Sequence, residues 1–296
     1  MLATKVSSTH QTTEKVGAYV ALLKPRLSLL VAFSSAFGYL LAVSGPINFT
    51  VLAVLVISGF LLSGSAVTIN QILERELDKR MKRTQNRPLP TGLLTDTEAW
   101  IVAAITGLGA LLLLAQFTNL LTVFLSLLSL ILYSFVYTPL KRVGPIAVLV
   151  GAIPGALPPL LGWVAATGAI SHEALVIFGI QFIWQFPHFW AIAWVADDDY
   201  KKAGFKLLPS GGGKDFRTAV QIMTYTLFLI PLGLLPLKFG ITGVDSAIVV
   251  TVCGVLFLGQ TFQLMVQGSR QAALRIMFGS FIYLPVVQIA FLLDKV

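Results

Sequence analysis

Charge is scarce in this chain. Only 11% of its 296 residues are Asp, Glu, Lys or Arg, against about a quarter in soluble domains, so an ordinary water-soluble globule is excluded. Cysteine is scarcer still. Cys253 is alone in an apolar run, which rules out an intrachain disulfide or a cysteine-built metal site and leaves a small buried side chain as its reading. The opening residues 1–18 are polar and mixed. They lack the apolar core of a signal peptide and the Arg-rich, acid-poor composition of an organellar leader, so the first apolar segment is expected to insert as itself.

What is abundant is apolar: 56% of the residues are hydrophobic and 20 are Phe. Uncharged stretches of about 20 residues recur from end to end, each long enough to cross a hydrocarbon core about 30 Å thick. The sequence predicts an all-α, polytopic transmembrane helical bundle forming a single domain over 1–296. Its spans fall at 23–43, 49–70, 98–117, 119–138, 144–164, 174–196, 217–237, 244–267 and 273–293.

The 21 cations set the orientation. Only Lys238 and Lys295 fall on one side of these spans; all others lie in the N-terminal arm and the loops that share its side. By the positive-inside rule the polar arm 1–18 and the loops 71–97 and 197–216 are cytoplasmic and the C-terminus is outside, most simply at a bacterial inner membrane. Topology thereby accounts for most of the formal charge of +8, and nucleic-acid binding is a poor explanation for it. The two long loops also share a faint repeat. Each follows an apolar span with acids, then bases, then a Pro-Gly-containing turn: Asp78 to Gly92, and Asp198 to Gly211. Two pseudo-equivalent halves would build one site between them.

The most informative segment runs from Asn70 to Pro90. At about 100° per residue, Asn70, Glu74 and Asp78 fall within about 80° of arc and Glu76 on the opposite side. Hard oxygen donors followed by Arg83 and Arg87 suit Mg²⁺ holding a phosphorylated substrate, and the membrane edge points to a lipid diphosphate. The bland alternative is an interfacial helix end with i,i+4 ion pairs. Carboxamides at the end of an apolar helix, Asn70 and Gln71, weigh against it.

In the second loop, Asp197-Asp198-Asp199 is either a solvated turn or a second metal site. If the helix of span six continues, Asp199 lies about 20° from the line of His188. His188 is the only histidine within a span. It is a packing residue, a general base, or an axial contact to a haem-like iron. Tyr137 belongs to an interfacial aromatic belt or sits over a developing cation, with Lys141 and Arg142 gripping diphosphate. Span five, with Pro145, Pro154, Pro158 and Pro159, must be broken or closely packed, which is consistent with a central cavity.

Taken together these blocks resemble the UbiA superfamily of intramembrane prenyltransferases. The matching residues are Lys24-Pro25-Arg26; Asn70 to Asp78 with Met81-Lys82-Arg83-Thr84 and Asn86-Arg87-Pro88; Tyr137-Thr138-Pro139-Leu140-Lys141-Arg142; Trp184-Gln185-Phe186-Pro187-His188-Phe189-Trp190; and Asp198-Asp199-Tyr200-Lys201 with Ala203-Gly204 and Leu208-Pro209. They run in order from residue 24 to about 211, while spans seven to nine match only in hydrophobic length. Glu74 stands where the superfamily usually has Asp, and His188 where its second motif usually begins with Asp.

The resemblance, nearest to a haem-modifying branch, implies a bundle around a central cavity open to lipid for a polyprenyl tail. It implies transfer of farnesyl from farnesyl diphosphate to a vinyl group of haem B, with water supplying a hydroxyl, to give haem O. Haem B is then a substrate rather than a prosthetic group. The implied Mg²⁺ set is Asn70, Glu74, Asp78, Asp198 and Asp199. The implied diphosphate set is Arg83, Arg87, Lys141, Arg142 and Lys202, with Tyr137 and His188 completing the catalytic residues. Docking of terminal-oxidase assembly proteins stays open. The rivals are the same transfer to another aromatic acceptor such as a quinone precursor, and a transporter, whose acids would sit near mid-membrane.

Overall fold

The computed structural model describes residues 14–296, so residues 1–13 of the expected polar arm lie outside the described residues. Among the described residues, nine helices are long and apolar enough to cross a membrane: α1 Pro25–Ala42, α2 Phe49–Leu73, α3 Asp96–Phe117, α4 Leu120–Leu140, α5 Ile146–Thr167, α6 His172–Val195, α7 Phe216–Lys238, α8 Val244–Gln267 and α9 Arg270–Leu293. Each coincides with an expected span to within a few residues. The starts are chemically marked. Asn48, Asn119, Ser171, Asp215 and Ser269 each accept a backbone N–H of the following turn, and Thr95 with Glu98 forms a capping box at α3. These donors would otherwise be orphaned at the helix ends. Proline opens α1 at Pro25, where its missing N–H costs nothing.

α5 is the most buried span, at the centre of the bundle. Its interior prolines do not break it, and at two of the three a neighbouring helix supplies the missing donor. Pro159 cannot bond the carbonyl of Gly155, and Gln181 Nε2 on α6 donates to that oxygen instead at 2.8 Å. Pro158 likewise frees Pro154 O, toward which Ser129 Oγ on α4 donates at 3.5 Å. In hydrocarbon such replacement is obligatory. Gln181 Oε1 in turn accepts from Gln288 Nε2 on α9 at 2.9 Å, and Gln288 hydrogen-bonds Ser34 on α1. A buried carboxamide network thus ties α1, α5, α6 and α9. α1 and α5 approach so closely that a Cβ at Gly162 would strike the backbone of Ser35 and Tyr39, and one at Gly38 that of Pro159.

The described end of the expected polar arm is helical and docked. Residues 14–18 are not a free arm: a helix over 14–22 lies against the first long loop, burying Ala18 and Leu22 with Leu89, Leu94 and Ala99. Lys15 and Tyr19 donate to Glu98 at 3.0 and 2.8 Å. Two apolar residues spaced by one turn were enough to dock a segment whose composition reads as polar. At the opposite end of the bundle, Lys295 Nζ donates to the carbonyls of Leu40 and Val43.

Candidate active site

Both long loops begin with the same backbone break. α2 stops at Leu73, Glu74 takes φ −101° and ψ 7°, and a short helix follows at Arg75–Asp78. α6 stops at Val195, Ala196 takes φ −96° and ψ 10°, and Asp197–Ala203 follows. This pair of matching kinks gives the two halves a structural basis. At the first kink the i→i+4 ladder survives, with Glu74 N–H donating to Asn70 O at 3.0 Å and Asp78 N–H to Glu74 O at 2.8 Å. Asn70, Glu74 and Asp78 therefore share the buried side, while Glu76 is exposed and pairs with Arg75 and Lys79.

The two loops meet. Asp199 accepts the backbone N–H groups of Lys82 at 3.2 Å and Arg83 at 3.1 Å, and the Arg83 guanidinium lies 5.9 Å from the centre of the Tyr200 ring. Burial works to raise the Asp199 carboxyl, but the donations of Arg83 and Lys82, with the charge of Lys202, hold it below its ordinary value. Lys206 N–H donates to Lys141 O at 3.0 Å, fixing the second loop to the end of α4.

Cations face the buried acids. Arg87 Nη1 sits 2.6 Å from Asp78 Oδ2, and Lys141 Nζ lies 2.9 Å from Glu74 Oε1 and 3.0 Å from Oε2. Burial opposes the Lys141 charge, yet Glu74 keeps that ammonium above its ordinary value. Lys141 also lies 4.8 Å from the centre of the Tyr137 ring, so this ring already receives a cation on its face. Tyr137 closes a π-helical turn at Leu132–Tyr137, a widening that recurs at functional sites. Asn70 braces it: its Nδ2 donates to Thr138 Oγ1 at 3.1 Å, and Thr138 Oγ1 donates to Tyr133 O. The amide oxygen of Asn70 remains for another donor or a cation. Gly151 leaves room for the Tyr137 ring, which a Cβ there would meet at 2.6 Å.

Other expected residues lie outside this core. The Asp198 side chain is 90% exposed and has only a distant Lys214 partner at 3.8 Å. Asp197, part of the acidic run but outside the implied metal set, is buried instead and pairs with Lys201 and Lys214. At Ala196 too the i→i+4 bonds persist, with Ala196 N–H donating to Ile192 O and Tyr200 N–H to Ala196 O, both at 2.9 Å, and the turn that follows buries Asp197, half-buries Asp199 and exposes Asp198. Arg142 and Lys202 line an open basin of about 880 Å³ with Arg80, Lys201 and Lys206, beside the buried acids. His188 is buried deeper in α6, stacked on Trp184 with ring centres 4.4 Å apart and hydrogen-bonded to Ser280 of α9. Phe189 lies edge-on to it, and Tyr137 lies beyond Phe189, 6.4 Å from it.

One cation was missed. Lys24 adopts φ 44° and ψ 67°, a left-handed conformation that costs a non-glycine residue about 1–3 kcal/mol and clusters at functional sites. Burial, then the charges of Arg87 and Lys141, pull its ammonium down to about 7. Its place beside these cations was not legible from a lone Lys-Pro pair.

Among the described residues, no three of His, Cys, Asp and Glu converge as a ready-made metal cage. Mg²⁺ needs none, taking one or two carboxylates and completing its shell with phosphate oxygens and water. Asp78 Oδ1 is buried with no hydrogen-bond partner. A hard, anionic oxygen left open beside paired cations fits a metal that arrives with a diphosphate.

Fold and site together define a multi-pass membrane protein with an acid–base cluster gathered at one end of its bundle. The chain belongs to the UbiA prenyltransferase family, whose model matches residues 31–284. It is 54% identical over 279 residues to the protoheme IX farnesyltransferase of Cytophaga hutchinsonii, covering 94% of this chain and 98% of that one. It is 44% identical over 278 residues to the protein of that name from Christiangramia forsetii, covering 92% and 91%. Among solved structures, a digeranylgeranylglyceryl phosphate synthase superposes with a TM-score of 0.77 at 20% identity, covering 95% of this chain and 98% of that one. A UbiA homologue from Archaeoglobus fulgidus bound to GPP and Mg²⁺ gives 0.66 at 17%, covering 93% and 99%. At those identities the likeness is one of fold.

Proposed function

We propose that this protein transfers farnesyl from farnesyl diphosphate to a vinyl group of haem B, with hydration, giving haem O. The observation that carries the reading is the meeting of the two acidic loops. Asp199 holds the N–H groups of Lys82 and Arg83, more than a hundred residues away, above buried acids already faced by Arg87 and Lys141. The names of the relatives, at 54% and 44% identity over nearly the whole chain, favour haem as acceptor over a quinone ring. A transporter would place its acids at mid-membrane, whereas these lie beyond the ends of α2 and α6.

The roles follow from placement. Asn70 Oδ1, Glu74 and Asp78 offer the metal oxygens from the first loop, with Asp199 opposite. When bound, Mg²⁺ supplies Lewis-acid stabilisation of the departing diphosphate. Lys24, Arg83, Arg87 and Lys141 bind the diphosphate oxygens, Arg87 and Lys141 releasing Asp78 and Glu74 to do so. Arg142 and Lys202, in the outer basin, attract the anion on its way in. As the C1–O bond breaks, both electrons leave with diphosphate, and the Tyr137 face stabilises the allylic cation. The vinyl π pair then forms the new C–C bond. Water captures the resulting cation and gives a proton to a base, so the product gains one farnesyl and one hydroxyl.

The site faces the cytoplasm of a bacterial inner membrane on this reading, with the cation-rich loops inside. The test is Asp78→Ala, reconstituted with haem B, farnesyl diphosphate and Mg²⁺. The variant leaves Arg87 without its buried partner and should melt several degrees lower while remaining folded, and it should lose farnesylated haem by mass; retained turnover in a folded Asp78→Ala protein would defeat the assignment.

A further inference from the structure

The environment of His188 fixes which of its nitrogens is free. Ser280 Oγ lies 2.8 Å from His188 Nδ1 and donates to Met277 O at 2.6 Å. A hydroxyl has one proton, and an oxygen–oxygen contact that short needs it. The proton in the 2.8 Å contact is therefore the imidazole's: Nδ1–H donates to Ser280, and the lone pair sits on Nε2. The carbonyl of the same Ser280 accepts the Trp184 indole N–H at 3.1 Å, and Trp184 stacks on the imidazole at 19° between planes. One residue of α9 thus fixes both the tautomer and the ring orientation. Anchoring of this kind is what metal-ligating histidines receive through their other nitrogen.

We infer that His188 Nε2 is the axial ligand to the iron of the porphyrin substrate, and that Ser280 is the positioning residue that presents it. The inference rests on the haem reading above. His188 keeps 8% of its surface open, and the ring of Phe281, 42% exposed, meets it edge-on at 5.1 Å, so an aromatic wall stands where a large flat ligand would lie. Asp197 lies nine positions after His188, about 13 Å of helical rise, a distance comparable to the breadth of a porphyrin. Phe189 bridges His188 to Tyr137, with ring centres 5.3 and 6.4 Å apart, so a macrocycle held at His188 would lie one aromatic ring from the residue assigned to the allylic cation.

Ferric haem B titrated into the purified full-length protein, read by optical and electron paramagnetic resonance spectra, tests this. The wild type should show nitrogen-ligated iron. His188→Ala should bind haem at least tenfold more weakly, lose that signature, and regain it with 1-methylimidazole. Ser280→Ala should shift the ligand-field signature, and Ser280→Thr, which keeps the hydroxyl, should restore it. A His188→Ala spectrum identical to wild type overturns the inference, as does normal haem binding with release of an unhydrated farnesyl adduct, which would make His188 a base. A Ser280→Ala spectrum identical to wild type removes the positioning role. Farnesylated haem assayed in the same preparations separates the two layers. Turnover alongside an unchanged His188→Ala spectrum sinks only the ligand, whereas a wild type that farnesylates quinone-type rings and never haem sinks the acceptor itself.

Discussion

Asp199→Ala removes the contact through which the second loop holds the first. Two backbone N–H groups donate to this carboxylate, at 3.2 and 3.1 Å. Hydrogen bonds to a charged group contribute about 1.5–3 kcal/mol each when well shielded. This side chain keeps 18% of its surface in solvent, and both bonds are long, so roughly 2 kcal/mol for the pair is the reasonable figure. At about 1.4 kcal/mol per factor of ten, local opening of the first loop becomes roughly 30 times more frequent. Amide hydrogen exchange in detergent or nanodiscs reads this directly: the Lys82 and Arg83 amides should exchange roughly 30-fold faster in Asp199→Ala. The amides of α5 should not change. Asn at 199 keeps one acceptor oxygen and should fall between. Unchanged exchange at Lys82 and Arg83 in the alanine variant would refute the claim that the loops are joined there.

Lys24 should make substrate binding pH-dependent. Its ammonium is drawn down to about 7, by burial and then by Arg87 and Lys141, so the unliganded site is largely deprotonated above that value. A diphosphate raises it again, and binding above pH 7 takes up a proton and weakens as pH rises; calorimetry of pyrophosphate binding in two buffers should show the uptake in wild type and not in Lys24→Met. Lys141→Met strands Glu74 in the interior and should cost about 3–5 kcal/mol of stability, largely recovered in the Glu74→Gln, Lys141→Met double variant by thermal melting. Gly162→Ala sets a methyl against the backbone of Ser35 and Tyr39, and overpacking of about 3 kcal/mol is expected there. Gly179→Ala, with nothing within 4 Å, should leave the melting temperature within error.

The spans were legible because hydrocarbon demands length, and length shows in composition. Their starts were read from the apolar runs alone, so the caps Thr95, Ser171 and Ser269, which open α3, α6 and α9 two or three residues earlier, went unused. Asn70, Glu74 and Asp78 were found by helical phase, which survived the kink at Glu74 because the i→i+4 bonds persist through it. The i→i+4 bonds persist through Ala196 as well, and Asp199 reaches the first loop. Which of three consecutive acids is buried could not be read from the run itself: Asp197 is buried and Asp198 exposed. Lys24 stood in a matched block without a role, and Ser280 was not singled out, for a different reason: what they do comes from partners elsewhere in the fold. The pairing of Gln181 with Gly155 O has the same origin, although a proline four residues after a glycine does mark a carbonyl needing a donor.

The central claim, that one metal and one diphosphate are held between the two loops, is tested most directly by Mn²⁺ in place of Mg²⁺. Its electron paramagnetic resonance signal, titrated with farnesyl diphosphate present, should report a bound ion in the wild type. Affinity should fall at least tenfold in Asp78→Ala and again in Asp199→Ala. Full Mn²⁺ affinity in either variant, with the protein folded, would mean that the loops do not share a site.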